Sequence, residues 1–155
     1  MMKETGKYSD PIRIRAHHLL CMQGFQGYGY SRDFELYMVS LITYLSLNPS
    51  YNLQIIAGTD EICSHCPYKV KGSYEGDCDS QNEIMKVDNL VIKKLDLNLK
   101  QFYTLEDVTE LVNSSLNPDD IWKYASNATG GISVFFSLYK QYDNVNFCFH
   151  FNWQN

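Results

Sequence analysis

The chain has 155 residues, a formal net charge of −5, 45% hydrophobic and 20% charged residues. This length suits one domain, and the composition is that of a globular chain able to bury a core. A mildly acidic chain has no overall attraction to nucleic acid or anionic lipid. Binding there would need a local basic patch, and the short run Arg13, Arg15, His17, His18, the one candidate, reads as a solvated segment entering a helix.

Residues 1–12 are expected to be a flexible N-terminal segment. No apolar stretch follows Met1-Met2-Lys3-Glu4, so no secretory signal is read there, and no apolar run approaches a membrane span. The expected location is the cytoplasm, where thiols stay reduced and a disulfide framework is disfavoured. Residues 13–23 read as a short helix or a strand-to-helix transition ending at Gly24. Gly27 and Gly29 then punctuate an aromatic loop. No Gly-Lys-Ser/Thr follows them, which excludes a phosphate loop.

Ser31 can cap a helix running to about Leu47, with Phe34, Met38, Leu41, Ile42 and Leu45 on one face and Asn48-Pro49 as its stop. Leu53 and Ile55 suggest one short strand, ended by Gly58. Residues 59–79 look like a loop and carry three of the five cysteines. Ser80 with Glu83 spells a capping box before Ile84, Val87, Val91 and Leu95. Thr104 with Asp107 spells another before Leu105, Val108, Leu111 and Val112. Asn117-Pro118-Asp119-Asp120 has a cap, a proline and acids in the order of a further helix start. The predicted fold is α+β and mostly helical: a small single domain with a short strand element and a cysteine-bearing loop.

Cys63-Ser64-His65-Cys66 places two thiols at the spacing that lets both sulfurs turn toward one ion. Pro67 follows, and Cys78 lies in a glycine-bearing stretch that can fold back to deliver a third sulfur. Cys21, or a histidine among His17, His18 and His65, can supply a fourth ligand. The blander alternative is burial as small hydrophobes, which suits Cys21 after Leu19-Leu20 better than the cysteines of the polar loop. A dithiol redox pair at Cys63 and Cys66 is a further alternative. Asp60 and Glu61 oppose it, because acids nearby raise a thiol pKa. A nucleophilic enzyme built on His17 or His18 with Cys21 is the weakest alternative, since adjacent helical histidines point to different sides. The expectation for one of them is a buried histidine that fixes the cysteine loop.

Arg15-Ala16-His17-His18-Leu19-Leu20-Cys21, then Gly24-Phe25, Gly27 and Gly29-Tyr30-Ser31, then Asp60, Ile62-Cys63, Cys66-Pro67 and Cys78 resemble the domain of unknown function 1284 family of bacteria and archaea. The resemblance spans roughly residues 11–120. It implies a cysteine-ligated cofactor, an iron–sulfur cluster, at Cys21, Cys63, Cys66 and Cys78, and it implies no substrate.

The family pattern continues into a Cys-x-x-Cys-x-Trp-x-x-x-Cys that this chain lacks. From Trp122 the composition changes: ten of the 22 aromatics fall in the last 34 residues, with only Lys123, Lys140 and Asp143 charged. A shifted reading frame permits cysteine at Tyr124/Ala125, Asn127/Ala128 and Ser133/Val134, and tryptophan at Thr129/Gly130, which is the missing spacing. The expectation is therefore a domain over residues 13–121 and an atypical, frame-shifted tail over 122–155, with Cys148 an accident of frame. A divergent aromatic tail is the alternative. Sequencing the gene separates the two.

The function expected on these grounds is that of a cysteine-ligated metalloprotein. An iron–sulfur cluster for electron transfer or sensing stands ahead of a zinc-stapled structural or interaction module without catalysis. The partner would be an unidentified redox or protein partner. No catalytic residue and no reaction can be named.

Overall fold

The computed structural model describes residues 8–25, 27, 29–69, 81–117 and 120. Its elements follow in the order β1 (Ile12–Arg15), α1 (His18–Gly24), α2 (Arg32–Leu47), β2 (Leu53–Ile56), α3 (Glu61–Ser64), α4 (Gln81–Lys94), β3 (Phe102–Tyr103) and α5 (Leu105–Ser115). They form a small α+β domain with more helix than strand. No described helix is long and apolar enough to cross a membrane. The tail from residue 122, Cys78 and the Ser80 cap lie outside the described residues.

The three strands form one sheet in the order β1-β2-β3. β1 runs parallel to β2, pairing Ile12 with Leu53 and Arg15 with Ile56. β2 runs antiparallel to β3. A parallel pair needs a crossover, and here α1 and α2 supply it. Parallel pairing also brings the carboxyl ends of β1 and β2 side by side, and the amide of Ala16 extends the ladder to the Ile56 carbonyl at 2.9 Å.

Helix α2 begins where the sequence marks it: Ser31 accepts from the Phe34 amide at 3.2 Å. Phe34, Met38, Leu41 and Leu45 are its buried residues, while Ile42 is half-buried. On α4, Ile84, Val87 and Val91 are buried as expected, and so is Leu95 just past its end. Helix α5 opens with the complete capping box of Thr104 and Asp107, and its Val108 and Val112 enter the core. Asn117 and Asp120 exchange two hydrogen bonds, Asp120 N–H to Asn117 Oδ1 at 2.9 Å and Asn117 N–H to Asp120 Oδ2 at 3.3 Å. This is the reciprocal pattern of a helix start.

The segment 1–12, expected to be flexible, is described from Tyr8 onward, and that part is packed. Tyr8 is buried, its hydroxyl lies 2.9 Å from Ser40 Oγ, and Ile12 already belongs to the sheet.

Candidate functional site

A solvated basic segment was expected at residues 13–18, and the structure corrects this. Only Arg13 is exposed; Arg15 (1%), His17 (5%) and His18 (7%) lie inside the protein. The cause is register. In β1 alternate side chains face opposite sides, so Arg13 points outward while Ile12 and Ile14 enter the core. Arg15 ends the strand and its side chain turns inward because a buried acid receives it.

That acid is Asp88. It lies on α4 four residues after Ile84, next to Val87 on the buried face, and is itself 0% exposed. Its Oδ2 accepts from Arg15 Nε at 2.6 Å. Its Oδ1 accepts from the His17 amide at 3.1 Å and from His17 Nδ1–H at 2.7 Å. A second buried carboxylate, Asp60, caps α3. Its Oδ2 accepts from the Arg15 amide and from His18 Nδ1–H, both at 2.7 Å, and its Oδ1 accepts from the Cys63 amide at 3.1 Å. Each carboxylate thus receives three hydrogen bonds, the condition under which a buried charge is tolerated.

Both histidines are held by the Nδ1 edge, and their rings lie 4.3 Å apart at 60°. Among the described residues, no group hydrogen-bonds either Nε2. The close His17–Asp88 contact could be taken for an ion pair. Burial, together with the charges of His18 and Arg15, instead lowers His17 to about 4, so near neutrality a neutral ring donates to the acid. Asp60 is lowered as well. Burial alone would raise it, but His18 and the amides of Arg15 and Cys63 bring it down to about 2.

The predicted cysteines fall in different settings. Cys63 is buried in α3, 3.7 Å from a terminal nitrogen of Arg15. Cys21 is buried in α1 among the core residues. Cys66 is half-buried just past α3. Burial first, and then Asp60, push both Cys21 and Cys63 up to about 12. This is opposite to the depressed value that a dithiol oxidoreductase needs. His65 is remote in character: it pairs with Asp33 at 2.9 Å and stacks on Tyr37 with centroids 4.0 Å apart.

Among the described residues, one group of three potential ligands converges. A ligand atom from each of His18, Asp60 and Cys63 lies within 4.8 Å of the other two. The group sits beyond the carboxyl ends of the parallel strands, where open α/β sheets characteristically bind ligands. Sequence reasoning named His18 and Cys63 as site residues; it placed Asp60 and Arg15 only in the family motif, the one also as an acid beside the cysteines and the other also in a basic run, and it did not single out Asp88. The available signal was an acid at an inward position of an apolar helix face.

Over residues 29–128 the chain matches the family model described as "Protein of unknown function (DUF1284)", and the chain belongs to this family. The match covers most of the domain and runs seven residues past position 121. No curated protein and no solved structure matches the chain.

Proposed function

We propose that this protein binds a metal centre through the Cys63 thiolate and the His18 imidazole, with Asp60 fixing both. The observation that carries the proposal is the convergence of His18, Asp60 and Cys63 at the ends of two parallel strands. The donor set fits. Sulfur and imidazole suit iron–sulfur centres and zinc alike. Histidine ligands characteristically donate their second ring nitrogen to a carboxylate, as His18 does to Asp60. Asp60 already accepts three hydrogen bonds, so its part is to orient rather than to ligate. Two carboxylates against one guanidinium also leave the cluster formally negative and receptive to a cation.

In the first reading the group is an iron–sulfur cluster that serves electron transfer or sensing with a protein redox partner. Cys21, Cys66 and Cys78 are then the further sulfur ligands. In the second, the carboxylate–histidine pair favours zinc, and the site staples the domain without catalysis. Iron and sulfide analysis with visible spectra of anaerobically purified protein distinguishes the two. Visible absorbance with iron and labile sulfide supports the first reading, and stoichiometric zinc in colourless protein supports the second. Protein grown in metal-replete medium that holds neither, and takes up neither on reconstitution, overturns both.

A further inference from the structure

The least expected group in the cluster is the guanidinium of Arg15. It is 1% exposed, and an arginine is seldom buried to that extent without a specific partner. Its main-chain amide is held by Asp60 at 2.7 Å and its Nε by Asp88 at 2.6 Å. Pinned at both ends, the planar fork has little freedom, and it directs a terminal N–H at Cys63 Sγ from 3.7 Å. β1 holds the residue in register with Ile56, next to the turn that leads to Asp60 and Cys63.

We infer that Arg15 is a positioning residue of the metal centre: its fork, aimed by Asp88, places a cation on the Cys63 sulfur and tunes the charge of the metal-bound thiolate. The inference rests on the metal reading above. An N–H directed at a ligating sulfur stabilises negative charge there, and hydrogen bonds to sulfur are among the means by which a protein sets the potential of such a centre. Asp88 moderates the effect by neutralising part of the guanidinium charge. Lysine keeps the charge but cannot donate to Asp88 and Cys63 in two fixed directions at once.

Co(II) added to the full-length, metal-stripped chain is the probe, read by its near-ultraviolet sulfur-to-cobalt charge-transfer band. In Arg15→Gln the band should move to lower energy, because the sulfur electrons lose their neighbouring cation, and in Arg15→Lys it should move the same way by less, because the charge stays but its N–H is no longer aimed at the sulfur. In Asp88→Asn it should move to higher energy, because the guanidinium is no longer balanced. A purely structural ion pair predicts lower melting temperatures in all three variants and no movement of the band. Bands coincident with wild type would overturn the role of Arg15 and leave the metal reading standing. A wild-type chain without a charge-transfer band overturns this inference, and one that also holds neither iron and sulfide nor zinc overturns the metal reading with it. If the Arg15 variants do not fold, Asp88→Asn decides: a band at higher energy supports the inference and an unmoved band ends it.

Discussion

Asp60 joins three stretches of chain through one side chain: the end of β1, the start of α1 and the turn of α3. In Asp60→Asn, an amide NH2 would face N–H donors wherever it replaced a carboxylate oxygen. The expected loss is about 2–3 kcal/mol, the order for unsatisfied buried donors, measured by urea unfolding; a loss below about 0.5 kcal/mol would contradict the geometry. His17 gives a pH signature. Its folded pKa of about 4 lies below the ordinary 6.5, so the unfolded chain binds the extra proton. Stability from this group is complete above pH 6.5 and is lost as the pH falls toward 4. The full effect is on the order of 3 kcal/mol. In His17→Gln that part of the acid slope should vanish from unfolding curves of the metal-stripped protein. At this scale the sequence was half legible. Cys63 and His18 stood out by type and spacing. Asp88 did not, because a single acid in a helix normally reads as solvent-facing, and only the tertiary partner Arg15 explains its burial.

The helices were the legible elements because their ends carry local chemistry. Ser31 and Thr104 make the caps that their positions announce, and the apolar spacing of α2 and α4 marks the buried face. Thr104→Ala should cost about 1 kcal/mol, the usual worth of such a cap, as a reduced midpoint in denaturant at unchanged slope. Leu41, fully buried in α2, should cost about 2–5 kcal/mol on replacement by alanine. β3 and α3 were not legible. A strand of two residues, Phe102-Tyr103, has no alternation to detect, and a helix of four residues shows no period. α3 exists because Asp60 caps it, and the same cap belongs to the site. β1 was ambiguous between strand and helix because its pairing with β2 is non-local.

At the scale of the whole molecule, the domain should be least stable at both pH extremes. Asp60, held at about 2 against an ordinary 3.8, loses its contribution as the pH falls through that interval. Cys21 and Cys63, raised to about 12 from 9.0, favour folding fully below pH 9 and progressively less above it. A metal held by Cys63 and His18 would reverse the alkaline trend. Chelation should therefore lower the melting temperature most at pH 9–10, and equal melting curves with and without chelator there would argue against a bound cation. The hydrogen bonds that build the site span 42 to 73 positions along the chain, from Arg15 and His18 to Asp60, Cys63 and Asp88. On the proposed metal reading, the ligand group is complete only once Cys63 has emerged from the ribosome, and the Arg15–Asp88 pair beside it forms only after α4 has cleared the exit tunnel. On that reading loading comes late in biogenesis, and a chain truncated before residue 88 should lack the buried carboxylate that holds Arg15 beside Cys63.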